Sequence, residues 1–241
     1  MNIILFEAIP EFISFTDPVG RHLKKVLKAQ AGGRLKAGLV NGPRGELCIE
    51  AIEPDGYRVS WRECEPAVGL YPLTLLVGFV RPISVKRILR EAASLGVERL
   101  IFTVTDTGER SYREANLWKT GEFREYLING LQTAGGTELP AVELCGGLGE
   151  ALAAAESSPG AAAVRLVLDN VGSGRPLSQV DLAGPGAAVL AVGSERGWSE
   201  RERGLFREAG FEPVSLGSRV LRTETACSAG AALALARMGF V

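Results

Sequence analysis

The sequence is poor in the residues that build metal sites and histidine-dependent active sites. It has one histidine, His22, and four cysteines in 241 residues. The cysteines are widely separated and none belongs to a C-x-x-C pair, so we expect reduced thiols and no zinc site. One imidazole also argues against triad hydrolases and most metallohydrolases, which need histidines positioned by partner groups. We therefore predict a protein without a bound metal.

Long hydrophobic runs and a targeting segment are missing as well. No apolar run approaches the roughly 20 residues that a membrane-spanning helix needs. The first residues do not show the pattern of a secretory signal, which is a basic segment, a long apolar stretch and a small-residue cleavage site. We expect a cytoplasmic protein with no membrane association.

The chain has no excess of positive charge that would by itself indicate a nucleic-acid partner. Lysine plus arginine number 27 against 28 for aspartate plus glutamate, and the sequence pI is near 6.0. Cations do gather locally, in residues 21–28 and 81–90, where they could contact phosphates. The alternative explanation for each cluster is an ordinary solvated helix face.

The hydrophobic pattern divides the chain into two parts, with a boundary between Pro66 and Pro72. The first part has short apolar runs bounded by Gly, Pro and Asp, which indicate strands. From Leu73 onward strands and helices alternate, as is typical of a parallel α/β sheet. We predict a small β-rich domain over residues 1–69 and an α/β domain over residues 70–241. The predicted strands are 2–6, 34–40, 46–52, 57–63, 73–80, 100–105, 142–144, 164–168, 187–192 and 211–216, and the clearest helices are 21–29, 84–95 and 223–238.

Two segments near the C-terminus carry most of the functional information, namely residues 191–200 (AVGSERGWSE) and 214–226 (VSLGSRVLRTETA). Each indicates a buried strand, a glycine-containing loop and a helix start, which together place a ligand at the carboxyl edge of a parallel sheet. Ser199 and Glu202 form a capping box, and Gly210 is expected to end that helix. The last helix is apolar nearly all round and is predicted to be buried. The two loops should share one pocket.

The same two segments resemble the RsmE family of 16S ribosomal RNA uridine-N3 methyltransferases. The likeness is carried by residues 193–199 (GSERGWS) and 216–226 (LGSRVLRTETA), and more weakly by residues 21–27 (RHLKKVL) and 109–111 (ERS). Where the family usually has Pro-Glu-Gly-Gly, this chain has Ser-Glu-Arg-Gly at residues 194–197. The chain is therefore identified as a divergent member.

The resemblance implies both a fold and a function. The first domain would be a small PUA-like β-barrel that binds RNA, and the second a SPOUT methyltransferase domain, an α/β parallel-sheet domain with a trefoil knot. The hydrophobic pattern alone predicts an open doubly wound sheet, so the knot comes from the resemblance only. The implied cofactor is S-adenosylmethionine, and the implied partner is 16S rRNA of the small ribosomal subunit. The implied assembly is a homodimer, for which the last helix offers an apolar contact.

The matched positions also imply site residues. Methyl transfer to uracil N3 removes a proton and leaves negative charge on the base carbonyls, which a nearby cation stabilises. Arg222 and Arg219 lie in the loop expected to face the cofactor. Glu224 either accepts the proton, orients Arg222, or is only a favourable carboxylate in the first turn of a helix. The residues implied to bind the cofactor are Leu168, Val192, Gly193, Glu195, Gly197, Leu216, Gly217, Val220, Leu221 and Thr225. The residues expected to contact RNA are Arg21, His22, Lys24, Lys25, Arg81, Lys86 and Arg110.

Two other classes of function stay open. One is a noncatalytic RNA-binding or ribosome-associated protein with this fold, against which the intact run at residues 221–225 (LRTET) weighs. The other is a nucleotide-dependent α/β enzyme on an open sheet, against which the lack of a glycine-rich loop after the strand at 73–80 weighs.

Overall fold

A computed structural model describes residues 2–156, 163–171, 174–182 and 186–241. The chain forms two compact units. The first unit comprises Met1–Gly69 together with Ile128–Leu139, and the second comprises Leu70–Leu127 together with Pro140–Val241.

The first unit is built on a five-stranded sheet in the order β1-β3-β4-β5-β2. Strand β1 is parallel to β3, and the other neighbours are antiparallel. Helix α1 (Pro18–His22) continues as a π-helical turn at Leu23–Leu27, so the helix predicted over 21–29 begins and ends earlier than expected. Strand β2 was not predicted, because three residues are too few to show an alternating pattern. The strands are β1 (Ile4–Phe6), β2 (Phe12–Ser14), β3 (Arg34–Leu39), β4 (Arg44–Glu53) and β5 (Gly56–Glu65).

The core of the first unit follows from side-chain alternation along its long strands. On β4, Leu47 and Ile49 are buried and pack with Leu23 and Tyr57. Residues 128–139 close this unit from a distant part of the sequence. The amides of Asn2 and Ile3 both donate to the carbonyl of Gln132, at 2.8 and 3.2 Å.

The second unit contains a six-stranded sheet in which every neighbouring pair is parallel, in the order β11-β9-β10-β6-β7-β8. This confirms the predicted α/β class with a parallel sheet. All five residues of β10 are buried, as expected for a central strand that is covered on both faces. The strands are β6 (Tyr71–Gly78), β7 (Val97–Thr103), β8 (Ala141–Cys145), β9 (Val164–Leu168), β10 (Ala188–Val192) and β11 (Glu212–Val214).

Helices cover the sheet, and their ends follow the predicted signals. Ser199 accepts from the Glu202 amide while the Glu202 carboxylate accepts from the Ser199 amide, so the capping box is confirmed. Gly210 follows that helix with φ of +73°, as predicted. The helices are α2 (Pro82–Ser94), α3 (Asn116–Lys119), α4 (Phe123–Ala134), α5 (Leu148–Glu156), α6 (Glu200–Glu208) and α7 (Thr223–Met238).

The prediction that α7 is buried is correct for one face of the helix and wrong for the other. One face, including Cys227, Ala231 and Leu235, is buried, whereas Thr225 and Ala229 are exposed. The helix packs mainly against α2, β6, β10 and a short 3-10 turn at Leu177–Gln179, which cover the buried face. None of the helices in the described part of the chain is both long enough and apolar enough to cross a membrane.

Candidate active site

A cavity of about 390 Å³ opens at the carboxyl edge of the parallel sheet. Leu168 at the end of β9 pairs with Val192 of β10 and with Val214 of β11, so three strands end side by side there. The cavity is formed by the segments that leave these strands, together with Arg81 before α2. The lining residues are Arg81, Leu168, Asp169, Asn170, Val192, Gly193, Ser194, Glu195, Gly197, Val214, Ser215, Leu216, Arg219, Val220, Leu221, Arg222, Thr223, Glu224 and Ala226.

The loop after β10 is a tight turn. The Gly197 amide donates to the carbonyl of Ser194 at 2.9 Å, and Gly197 has φ of +68°, a left-handed conformation that favours glycine. The turn brings Gly193 and Glu195 to the cavity wall. Gly197, which closes the turn, is therefore the residue that makes this part of the cavity wall possible.

Hydrogen bonds from the segment after β7 hold this turn in place. The Thr107 hydroxyl donates to the carbonyl of Gly197 at 2.9 Å, and the Thr105 hydroxyl donates to Ser194 Oγ at 3.2 Å. The carboxylate of Glu202, which is fully buried, accepts from the amides of Ser199 at 2.7 Å and Asp106 at 2.9 Å. A turn fixed in advance in this way loses little conformational entropy when a ligand binds.

Asp106 adds a charged contact to the same support. Its carboxylate accepts from the Ser199 hydroxyl at 2.5 Å and from both Nε and Nη2 of Arg201, at 2.9 and 2.5 Å. The Arg201 guanidinium and the Ser199 hydroxyl hold the pKa of Asp106 below the ordinary aspartate value of 3.8. The carboxylate is thus ionised at neutral pH and fully engaged by the protein.

The opposite wall is the segment between β11 and α7. Leu177 donates its amide to the carbonyl of Ser215 at 2.8 Å, which anchors the start of this segment. At its far end the Thr223 hydroxyl donates to the carbonyl of Gly193 at 3.2 Å, so α7 begins against the turn after β10. The two glycine-containing loops therefore face each other across one cavity.

The charges around the cavity leave two arginines without carboxylate partners. Each carboxylate in the lining has a guanidinium partner: Glu195 lies 3.5 Å from Arg81, Asp169 lies 2.5 Å from Arg203, and Glu224 lies 3.4 Å from Arg87. Within the described residues, neither Arg219 nor Arg222 forms an ion pair. The lining thus holds three arginines and three carboxylates, but the carboxylates are all paired, two of them with Arg87 and Arg203 from outside the lining. Arg219 and Arg222 are therefore available to a ligand that carries or develops negative charge.

A metal ion is a poor match for this donor set. The carboxylates of Asp169, Glu195 and Glu224 already face guanidinium groups. Over the described parts of the chain, no three histidine, cysteine, aspartate or glutamate side chains gather as a metal site would require.

Most of the residues implied to bind the cofactor lie in the cavity wall. Leu168, Val192, Gly193, Glu195, Gly197, Leu216, Val220 and Leu221 line it, as do Arg219, Arg222 and Glu224. Gly217 and Thr225 belong to the same segment but are not part of the lining, and Thr225 is exposed.

The residues expected to contact RNA fall in separate places. Arg81 lines the cavity, and Arg110 is exposed at the start of a 3-10 turn, Arg110–Glu114. Lys86 is occupied within the protein, because its ammonium lies 2.8 Å from the Glu122 carboxylate and 4.9 Å from the ring centroid of Tyr126. Arg21, His22, Lys24 and Lys25 belong to α1 and the turn after it in the first unit, where the Lys24 ammonium lies 3.7 Å from the ring centroid of Phe15.

Sequence reasoning missed several residues of the site. Asp169 and Asn170 line the cavity directly after β9, and their position at the end of a predicted parallel strand was a usable signal. Arg87 had no such signal, because it meets Glu224 only through the packing of α2 against α7.

Comparison with known proteins agrees with this geometry. Residues 69–235 match the family model of the RNA methyltransferase domain. The chain is 38% identical to ribosomal RNA small subunit methyltransferase E of Treponema pallidum, over 98% of this chain and 91% of that protein. It is 29% identical to ribosomal RNA small subunit methyltransferase E 1 of Borreliella burgdorferi, over 99% of both chains.

A solved structure shares the fold. It is a ribosomal RNA small subunit methyltransferase E from Neisseria gonorrhoeae bound to S-adenosyl methionine, with a TM-score of 0.77 at 21% identity, covering 99% of this chain and 98% of that one. The family match covers more than half of the chain, and the Treponema relative aligns over nearly all of it. The chain therefore belongs to the RNA methyltransferase family that includes the ribosomal RNA small subunit methyltransferases E, the RsmE family.

Proposed function

We propose that the protein transfers the methyl group of S-adenosylmethionine to N3 of a uridine in the 16S rRNA of the small ribosomal subunit. The observation that carries this proposal is the cavity between the two glycine-containing loops. Its wall contains two arginines, Arg219 and Arg222, that have no carboxylate partner among the residues the structure describes. The names of the Treponema and Borreliella relatives support the ribosomal substrate, and the ligand named for the Neisseria structure supports the cofactor.

The cavity has the size and lining that such a cofactor needs. Its volume of about 390 Å³ lies within the range of small-molecule sites. Leu168, Val192, Leu216 and Leu221 offer apolar contacts for an adenine ring, and the backbone of the Gly193 turn offers hydrogen-bonding groups. When bound, S-adenosylmethionine would supply an electrophilic methyl group on a sulfonium.

The protein's own residues would manage the charge of the base. Arg222 immediately precedes α7 and lines the cavity, and we assign to it the stabilisation of the negative charge that uracil develops when N3 loses its proton. Arg219 would hold the neighbouring phosphate.

Glu224 is assigned as the acceptor of the N3 proton. Its side chain is largely buried, and it lines the same cavity. Arg87 contacts its Oε1, which leaves Oε2 available to accept the proton. Because Glu224 pairs with Arg87 and not with Arg222, it is not assigned the role of orienting Arg222.

The first unit would act as the RNA-binding domain. Residues 1–69 are proposed as a PUA-like barrel and residues 70–241 as the SPOUT methyltransferase domain. The five-stranded sheet supports the first assignment, as do the exposed cations Arg21, Lys24 and Lys25. His22 is placed in the same interface by its position at the end of α1.

A trefoil knot is proposed for the second unit. After β11, the chain runs beside residues 175–177, which lie between β9 and β10 in sequence, and Ser215 forms a bridge with Pro176. Helix α7 then packs against β6 and β10 near the middle of the sheet. A trefoil knot requires the C-terminal segment to pass through the connection between β9 and β10, and this path of the chain is compatible with such a passage.

Assembly as a homodimer in the cytoplasm completes the proposal. The far face of α7 exposes small residues such as Ala229 and Ala236, which allow another helix to approach closely. A cytoplasmic location is proposed because the protein would encounter its substrate, the small ribosomal subunit, there.

The test is methyl transfer from labelled S-adenosylmethionine to small subunits from a strain that lacks the modification, with the modified nucleotide identified by mass spectrometry. We expect labelled N3-methyluridine in the 16S rRNA. Calorimetric titration with S-adenosylmethionine and with NAD separates the alternatives. Binding of NAD alone would indicate a nucleotide-dependent enzyme of another class, and S-adenosylmethionine binding without transfer to subunits or to naked 16S rRNA would contradict the substrate.

A further inference from the structure

Arg196 is an exposed cation at the tip of the turn after β10. It occupies the third position of the Ser194–Gly197 turn, and within that turn only Gly197 has a positive φ. Arg196 therefore adopts an ordinary backbone conformation, and the turn does not depend on which residue stands there. This is also a position where the chain departs from the Pro-Glu-Gly-Gly pattern usual in the family.

The Arg196 side chain is not part of the cavity wall, although its neighbours are. Gly193, Glu195 and Gly197 line the cavity, whereas Arg196 does not. The carboxylate of the neighbouring Glu195 accepts a hydrogen bond from the backbone amide of Arg81, at 3.2 Å. Arg196 thus lies between lining residues at the rim of the cavity, and its exposed side chain is not among the groups that line it.

The carboxylates near this rim are already engaged. Asp106 is held by Arg201 and Ser199, and Glu202 accepts from two backbone amides. Glu109 accepts from the amide of Ser111 at 3.2 Å. That hydrogen bond, the Ser111 side chain and the more distant charge of Arg196 together lower the pKa of Glu109. Among residues with described positions, none forms an ion pair with Arg196.

We propose that Arg196 binds a backbone phosphate of the RNA beside the nucleotide whose base enters the cavity. The inference rests on the proposed function. A base that enters a pocket leaves its flanking phosphates at the rim, and a guanidinium offers a planar fork of donors that matches a phosphate. The protein as a whole carries a formal charge of −1, so its affinity for RNA must come from local cations such as this one.

The test compares Arg196→Ala and Arg196→Lys with Arg207→Ala. Arg207 is an exposed arginine of α6 that pairs with Glu200, and its replacement removes the same charge away from the cavity. For each variant, kcat and KM for unmodified small subunits are measured at several salt concentrations, and the Kd of S-adenosylmethionine is measured by calorimetry.

Arg196→Ala should raise KM for the subunits by about tenfold with kcat and the cofactor Kd unchanged. It should also reduce the slope of log(1/KM) against log[salt] by about 0.7 to 0.9, the value of one phosphate contact. Arg196→Lys should keep most of the slope, and Arg207→Ala should match the wild type.

Two results would overturn the inference: a salt slope that Arg196→Ala leaves at the wild-type value, or a cofactor Kd that rises in parallel with KM. The second result would mean that Arg196 contributes to cofactor binding and not to a phosphate contact. Failure of the proposed function has a different signature, because the wild-type protein would then transfer no methyl group to the subunits at all.

Discussion

At the residue scale, the character of the site depends on which charges are already paired. Asp169, Glu195 and Glu224 line the cavity, but each faces an arginine. Arg219 and Arg222 remain as the cations of the wall for which no carboxylate partner is found within the described residues. An enzyme that stabilises an anionic base needs such unpaired cations at the point where the negative charge develops.

Replacement of Arg222 by alanine should therefore lower kcat by about 100-fold or more, the usual effect of removing one preorganised donor to a developing anion. The Kd of S-adenosylmethionine should change by no more than about twofold, because the cofactor is expected to contact mainly backbone and apolar groups. Single-turnover transfer to small subunits measures the first quantity and calorimetry the second. Arg222→Lys, which keeps the charge but not the planar fork, should retain part of the rate. Wild-type turnover in Arg222→Ala would remove this residue from the mechanism.

Asp106 gives a residue-scale prediction about pH. Its pKa in the folded protein lies below the ordinary value of 3.8, so the carboxylate stabilises the fold above about pH 4, and this contribution is lost as pH falls through the folded pKa. Asp106→Asn should cost less than about 1 kcal/mol at pH 7, because the pair is partly exposed. The difference from the wild type should shrink in urea unfolding measured at decreasing pH. A difference that stays constant down to pH 3 would show that the charge is not responsible.

At the element scale, the start of α6 couples local helix signals to the site. The Ser199 and Glu202 capping box is readable in the sequence, yet the same Glu202 carboxylate also accepts from the amide of Asp106, which follows β7. One buried side chain therefore fixes a helix start and the segment that supports the turn after β10. The two carboxylate oxygens of Glu202 thus serve both features, since one caps α6 through the Ser199 amide and the other holds Asp106.

Glu202→Ala should reduce the free energy of unfolding by about 2 to 3 kcal/mol, since it leaves buried amides without their charged acceptor. Glu200→Ala is the matched control on the same helix. Glu200 is exposed and pairs with Arg203 and Arg207, so its loss should cost less than about 1 kcal/mol. Chemical denaturation of both variants gives the comparison. Equal costs would mean that burial of the carboxylate adds nothing.

At the scale of the whole molecule, neither compact unit is formed by one continuous stretch of the chain. Residues 128–139 lie in the middle of the chain but belong to the unit formed by residues 1–69. Gln132 accepts from the amides of Asn2 and Ile3, and the Asn41 side chain accepts from the Leu139 amide at 2.8 Å. The two units are thus joined through α4, whose first half belongs to one and whose second half to the other.

A fragment of residues 70–241 should accordingly be less stable than the full chain. It retains residues 128–139 but lacks Asn2 and Ile3, whose amides donate to Gln132, and the rest of the compact unit to which the buried Leu131 belongs. Loss of even about 2 kcal/mol should lower its Tm by about 4 to 8 °C in a domain of this size. Differential scanning calorimetry measures the change, and addition of a fragment of residues 1–69 should recover part of it. Identical melting of the fragment and the corresponding transition of the full chain would contradict this view.

The sequence by itself determined the features that depend on neighbouring residues. Side-chain periodicity and turn chemistry predicted ten of the eleven described strands in some form, the helix that follows Ser199 and its end at Gly210, and the two glycine-containing loops near the C-terminus. Three elements were not predicted, for local reasons: β2, α3 and α4, of which α3 has only four residues. Strand β2 has three residues, and α4 mixes polar residues and Gly130 with its apolar ones, so its stripe is weak.

Only the tertiary structure decided which distant residues meet. Arg87 and Glu224 are 137 positions apart and Arg81 and Glu195 are 114 apart, so no local pattern could pair them. Tertiary packing also decided three other features: the open face of α7, the strand order of the six-stranded sheet, and the position of residues 128–139 in the first unit. The physical reason is that periodicity and capping are short-range properties, whereas ion pairs and burial depend on the packing of segments that the chain brings together only when it folds.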